Sequence, residues 1–324
     1  MRQNLEARRV IGLSLGIWII ATAGMLLEIP FFLLNYFILM WWPWIAILWA
    51  WHPLRGLPHP WRSPREFLHI CLASVAVWVF FEAYNLRIQN WAYENIYVYG
   101  VERWICYTIS FATVLPGVFL AANLVYHGLY RKCEGVRNGI LDRGVGATLG
   151  SPTVLSRAGQ APPLPRTVWV VSLSVGLSCA LAPLLWPTHC FALTWVAYIF
   201  LTDPLNDAMG EPSLWRDHLE GHHERITAAL AGGSLSGFVW EGWNWHAGSK
   251  WVYTLPFFDE KVFEMPWIGF LGFPPFAVEC LVMFCTLRGV FRRLTRAQGM
   301  LAFMALATLV CCVYARMDIL TVRN

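Results

Sequence analysis

Apolar positions in this chain come in long blocks rather than in short alternating patches. Runs nearly free of charge lie near residues 10–27, 31–51, 67–85, 104–128, 167–186, 190–203, 227–245, 267–287 and 298–315. A helix rises about 1.5 Å per residue, so roughly 20 apolar residues cross a hydrocarbon core. The pattern therefore predicts an all-α, polytopic integral membrane protein of about nine transmembrane helices, with 190–203 short for a span. The first run follows a basic N-terminal segment and leads through Leu27-Glu28-Ile29-Pro30 straight into the second, which reads as a retained helix and not a cleaved signal.

Composition agrees with the pattern. Of 324 residues, 57% are hydrophobic and 14% charged, whereas a soluble domain carries about 25% charged residues. The balance excludes a disordered chain, a secreted disulfide scaffold and a nucleic-acid-binding domain. Net charge is a modest +4, but the 24 basic residues are unevenly spread: eighteen fall in 2–9, 55–65, 131–166, 216–225 and 288–296. By the positive-inside rule these segments are cytoplasmic, which puts the N-terminus inside and the C-terminus outside, in a bacterial cytoplasmic membrane. The nine cysteines have no C-x-x-C spacing and read as buried structural thiols.

The chain repeats itself. Phe81-Glu82-Ala83-Tyr84-Asn85 returns as Trp240-Glu241-Gly242-Trp243-Asn244 at an offset of 159, Trp91-Ala92-Tyr93 as Trp251-Val252-Tyr253 at 160, and Trp44-Ile45-Ala46 as Trp195-Val196-Ala197 at 151. Two four-helix repeats, each crossing an even number of times, would run parallel, related by an axis along the membrane normal. The expected organisation is a first repeat over 1–132, a Gly/Pro/Arg-rich cytoplasmic linker over 133–166, a second repeat over 167–290, and a basic loop with a ninth helix over 291–324. The linker composition suggests mobility. The acidic, histidine-bearing segment 205–225 suits a helix or a site better than a spacer.

Acidic groups in or beside apolar runs are the first candidates for chemistry, because an ionisable group in hydrocarbon is costly unless paired or hydrated. Glu82 and Glu241 stand one turn before the ends of their helices, each followed on the same face by Asn85 or Asn244. Glu279 falls near the middle of the eighth run, and Glu264 lies in Phe263-Glu264-Met265-Pro266 ahead of it. Glu82 and Glu241 could instead cap and pin outer loops by accepting hydrogen bonds from tryptophan, asparagine or backbone donors, whereas a carboxyl in mid-membrane, as at Glu279, has no cheap structural purpose.

Eight of the nineteen tryptophans (91, 104, 186, 240, 243, 245, 251 and 267) gather at the predicted outer boundary. They read either as an interfacial belt or, around Trp240, Trp243 and Trp251, as a pocket for a flat apolar ligand or a cation. Asn85, Trp91, Tyr93, Asn244 and Tyr253 complete the candidate ligand-binding set. His218, His222 and His223 form an H-x-x-x-H-H run, but one such run cannot furnish the ligands of a membrane di-iron centre, so no metal is expected.

The order of residues in each repeat resembles the membrane-embedded lycopene cyclase domain of carotenoid biosynthesis, the heterodimeric or tandem class. In that family an aromatic-acidic pair ends a helix, a W-x-Y follows, and a proline with paired acids opens the next helix. The matching positions are Trp240-Glu241, Trp251-Val252-Tyr253 and Pro275 with Glu279, then Phe81-Glu82, Trp91-Ala92-Tyr93 and Pro116. The paired acids themselves are missing here. The Phe-Glu-Met-Pro stretch before Gly272-Phe273-Pro274-Pro275 is also similar to one found in other bacterial polytopic membrane proteins. What the cyclase resemblance implies is an isomerase or cyclase needing no redox cofactor: a carboxylic acid protonates a double bond, a dry cavity excludes water, and aromatic faces stabilise the cation. Two alternatives stay open: a non-catalytic membrane subunit binding lipid, pigment or partner helices, and a small-molecule transporter. Expected partners are a membrane lipid or isoprenoid and other membrane subunits in a homo- or hetero-oligomer, with no nucleic acid.

Overall fold

The computed structural model describes residues 2–130, 139–142, 162–255, 257 and 260–323, and 77% of these are helical. Helices α1 (Arg2–Leu26) and α2 (Pro30–Leu54) form an antiparallel hairpin. Helix α3 (Pro64–Ile88) starts where Ser63 accepts a hydrogen bond from the Glu66 backbone N–H and Pro64 fills the first position, and it stops at Gln89, which takes a left-handed conformation. Strand β1 (Trp91–Glu94) follows, then α4 (Gly100–Phe111) and α5 (Val114–Tyr130).

The second half holds α6 (Arg166–Leu185), α7 (Pro187–Cys190), a 3₁₀ segment (Phe191–Trp195), α8 (Ala197–Ala208), α9 (Leu214–Leu219) and α10 (Glu224–His246). It continues through β2 (Lys250–Tyr253), β3 (Lys261–Val262), β4 (Met265–Pro266), a 3₁₀ turn (Trp267–Gly272) and α11 (Phe273–Phe291), and closes with α12 (Arg296–Leu320) and β5 (Val322–Arg323).

Among the described residues seven segments are long and apolar enough to cross a membrane: α1, α2, α3, the α4–α5 stretch, α6, the 267–291 stretch and α12. These make the molecule an all-α polytopic membrane protein. Two predicted runs differ from the rest. The run at 190–203 is broken into α7, the 3₁₀ segment and α8. The run at 227–245 is one continuous helix, α10, but Gly232, Gly233, Ser234, Ser236 and Gly237 keep it out of the long-and-apolar class.

Those small residues have a packing purpose. A Cβ added at Gly232 would lie 2.5 Å from the Ala122 backbone, and one at Gly233 would lie 2.4 Å from the Ala277 Cβ. Helix α10 therefore wedges between α5 and α11 at a closeness larger residues forbid. Around it α5 and the middle of α11 are almost wholly buried, whereas α1 and α12 present outward apolar faces.

The end of the molecule opposite the strands is tied by charge. Asp203 accepts from Ser213 Oγ and from the backbone N–H groups of Leu214 and Trp215 at 2.8–2.9 Å, capping α9. Arg216 grips Asp207 through two nitrogens at 2.7 and 3.0 Å, and Glu211 receives Arg288 at 2.6 Å. Segment 205–225, read as better suited to a helix or a site than to a spacer, thus forms the end of α8 and the capped helix α9.

Part of the expected linker is fixed. Ile140 is fully buried, and Arg225, paired with Asp217, donates to the Ile140 and Asp142 carbonyls at 3.0 and 2.7 Å. Gly139 has φ +152°, and a Cβ there would meet Asn123 Oδ1 at 2.7 Å, so only glycine lets the chain enter this dock. Residues 143–161 of that linker, and Cys133, lie outside the described residues. The eight described cysteines are free thiols, with Cys311 and Cys312 exposed on α12 instead of buried.

Candidate functional site

Two copies of one side-chain arrangement meet at the strand end. In the first half Asn85, near the end of α3, holds both backbone polar groups of Trp91: its Nδ2 donates to the Trp91 carbonyl at 2.8 Å, and its Oδ1 accepts the Trp91 N–H at 3.2 Å. In the second half Asn244 does the same to Trp251, at 2.9 and 3.0 Å. Each asparagine thereby aims a strand back across its own helix end, bringing a tyrosine two residues on over a glutamate one turn before the asparagine. Tyr93 donates to Glu82 Oε1 at 2.5 Å and Tyr253 to Glu241 Oε1 at 2.7 Å.

The strands themselves pair antiparallel, Trp91 opposite Tyr253, Ala92 opposite Val252 and Tyr93 opposite Trp251. With the offset of 160, this register maps onto itself when the two halves are exchanged, with Ala92 and Val252 at its centre. The C-terminal β5 adds a third strand in parallel to β1.

Glu82 and Glu241 are both fully buried, and neither Oε2 has a hydrogen-bond partner among the described residues. Glu82 Oε1 also receives the indole N–H of Trp78 at 2.8 Å and of Trp91 at 3.2 Å. In the second half the Trp251 indole N–H goes to the Tyr253 hydroxyl at 3.0 Å. The tyrosines sit outside the spans, in the strands. Burial, and then the neighbouring carboxyl, push both phenols well above their usual range, so each hydroxyl keeps its proton at any ordinary pH.

Beside this pair of arrangements lies a cavity of about 430 Å³, within the size of a site for a small organic ligand. Its wall is rich in aromatic rings: Trp78, Trp91, Tyr93, Trp195, Trp240 and Trp251 all line it, with Phe37, Tyr107, Phe111, Tyr253 and Phe276. Rings within the wall touch at centroid distances of 5.0 to 6.3 Å, as with Phe37 and Trp251, Trp78 and Trp240, and Trp91 and Trp195, in the range favoured by aromatic pairs. Both halves of the chain supply the wall, and both Tyr–Glu pairs reach it through their tyrosines.

Of the ligand-binding candidates, Trp91, Tyr93, Trp240, Trp251 and Tyr253 come together on the cavity. Asn85 and Asn244 stand behind the strands as positioning residues. Trp243 lies off the cavity, packed on Trp18, Trp41 and Trp44. The carboxyls of Glu82 and Glu241 sit behind their tyrosines and do not line the wall.

The other two acid candidates are placed elsewhere. Glu279 is fully buried on α11 and accepts the Tyr198 backbone N–H at 2.6 Å, capping the start of α8 where the sixth run breaks. Glu264 is paired with Lys250 at 2.5 Å and approaches Lys261 at 3.9 Å. His218 and His223 lie with ring centroids 5.5 Å apart and His222 is 3.6 Å from Glu224. Among the described residues no group of three or more His, Cys, Asp or Glu is placed to hold a metal ion.

Several wall residues were not singled out from the sequence. Trp78 precedes Glu82 by four residues, a spacing that puts both on one helical face, so it was within reach. Trp195 stood in the repeat match with Trp44. Arg103, Tyr107 and Phe276 gave no local signal, because the tertiary fold brings their helices together. Set against known protein families, curated proteins and solved structures, the chain finds no match.

Proposed function

We propose that this protein binds a long apolar isoprenoid or related lipid in the aromatic cavity and performs acid–base chemistry on it, with Glu82 and Glu241 working through Tyr93 and Tyr253. The observation that carries this reading is the pair of matching Glu–Tyr arrangements on one apolar cavity. With the carboxyl in its acid form the hydrogen bond can turn round, so that the phenol passes its proton to a double bond while taking one from the carboxyl behind it; the aromatic wall faces the carbocation, and the carboxylate so formed takes back, through the same phenol, the proton the cation loses. The resemblance to the lycopene cyclase domain belongs to this reading, since that chemistry also joins an acid to a dry aromatic cavity.

A second reading is favoured by one feature. The carboxyls are screened from the cavity by the tyrosines, as they would be if they only anchored the strands in a lipid- or pigment-binding subunit. Extracting the lipids of the purified protein and recording its visible absorption and mass spectra tests the common ground. An isoprenoid enriched far above its share of the membrane supports both readings. Bulk phospholipid alone removes both.

The same proposal includes nine crossings, with the broken α7–α8 region as the sixth and α10 as the seventh. It has two parallel halves, an N-terminus in the cytoplasm of a bacterial inner membrane and a C-terminus outside. The self-mapping strand register and the eighteen basic residues at one set of loops support it. Reporters fused after Arg166 and after Asn324 are expected on opposite sides. Finding them on the same side would remove either the ninth crossing or the broken sixth, and the parallel arrangement as well if the sixth is the one that fails.

A further inference from the structure

The cavity is polar on the side lined by α4 and apolar at the corresponding second-half positions. Arg103, Cys106 and Ser110 line it from α4, and of the residues 159 positions later, Val262, Met265 and Gly269, the last two line it and Val262 stands off it. Tyr97 joins the polar side, held by Asn35 Nδ2 at 2.6 Å. A pure hydrocarbon would add no partner to these groups beyond those the protein supplies, the Arg103–Asp318 ion pair and the contacts of Asn35 with Tyr97 and Cys106.

Arg103 is the most telling of them. Its Nε lies 2.8 Å from Asp318 in an ion pair without hydrogen-bond geometry and its side chain is only 11% exposed, so this buried Nε has no hydrogen-bond acceptor among the described residues. A guanidinium presents a fork of donors that suits a carboxylate or phosphate. The second cation on the wall, Lys250, shares Glu264 with Lys261, which leaves that trio one positive charge in excess.

Resting on the reading of the cavity as a lipid site, we infer that its ligand is an amphiphile: one long apolar chain ending in an anionic-oxygen head, a phosphate or carboxylate, that seats against Arg103 and Lys250. The chain then runs along Trp195, Leu271 and Phe273. A charge-assisted contact at the head should tighten binding about tenfold or more.

The test follows quenching of intrinsic tryptophan fluorescence in the purified full chain with four probes: farnesyl phosphate, palmitate, farnesol and inorganic phosphate. Farnesyl phosphate and palmitate should each bind about tenfold or more tighter than farnesol, and inorganic phosphate should neither quench nor compete. The double variant Arg103→Gln/Asp318→Asn, which leaves no buried charge unpaired, should erase the gap while keeping farnesol affinity. Lys250→Gln, with Lys261 still able to pair Glu264, should narrow the gap as well and serves if the double variant does not fold. Equal binding of farnesol and farnesyl phosphate, or a gap unchanged in the variants, overturns the assignment of the head while the cavity reading stands. Competition by inorganic phosphate overturns the amphiphile. If no chain-bearing probe binds, the cavity reading itself has failed.

Discussion

Replacing Glu82 or Glu241 by glutamine should leave the protein folded and still able to bind its lipid, but cut solvent-proton transfer to that lipid by about 10²–10⁴-fold, the contribution of a positioned general acid. Glutamine keeps the oxygen that accepts the Tyr93 or Tyr253 hydroxyl and loses only the exchangeable acid, so the structural cost stays near 1–3 kcal/mol. The measurement is uptake of deuterium from D₂O into the co-purified lipid, followed by mass spectrometry. The two variants should respond in the same direction, since the Tyr–Glu hydrogen bond is common to both arrangements, which differ in the extra Trp78 donor at Glu82 and in the strand indole, given by Trp91 to Glu82 and by Trp251 to Tyr253. Glu279→Gln should be mild, because an amide oxygen can still accept the Tyr198 N–H. Undiminished deuterium uptake in both Glu82→Gln and Glu241→Gln would make the carboxyls anchors and the protein a binding subunit.

The largest loss of stability is expected at Asp217. Arg225 and Asp217 are each about 4% exposed, and Arg225 also holds the carbonyls of Ile140 and Asp142. Asp217→Ala leaves the guanidinium buried without its counter-charge, which costs roughly 3–5 kcal/mol. It should also release the docked segment at Gly139. Thermal unfolding in detergent should show a clear drop, and proteolysis should open the chain near residue 140. The double variant Asp217→Leu/Arg225→Met, which removes both charges, should recover much of the thermal loss but not the docking of 139–142. A single variant as stable as the parent would mean that the pair is hydrated and carries no such energy.

The helical membrane class was legible because apolar run length answers directly to bilayer thickness. The repeat was legible through residues whose roles are local: Glu, Asn and the W-x-Y tyrosine lie within twelve positions of one another, so one helix end and one strand bring them together. The break at 191–195 was hidden, since apolar residues alone do not distinguish a continuous helix from a broken one. Helix α10 escaped the count of long apolar spans for the opposite reason: its glycines and serines lower hydropathy while serving close packing. Arg103 and Asp318 could not be paired from sequence, because 215 positions separate them and only the docking of α12 on α4 joins them. Cys311 and Cys312 read as buried for their apolar surroundings, which on an outward-facing helix are lipid-directed.

That the aromatic cavity is the lipid site is tested most directly by filling it. At Gly272, on the wall, a Cβ would meet Trp195 at an ordinary 3.7 Å, so Gly272→Leu adds side-chain volume there without a backbone clash. Gly12→Leu, on α1, where nothing lies within 4 Å, serves as a lipid-facing control. Native mass spectrometry of the three proteins released from detergent should show one retained lipid on the parent and on Gly12→Leu, and none on Gly272→Leu. Equal retention by all three would contradict the account and place the bound lipid outside the cavity.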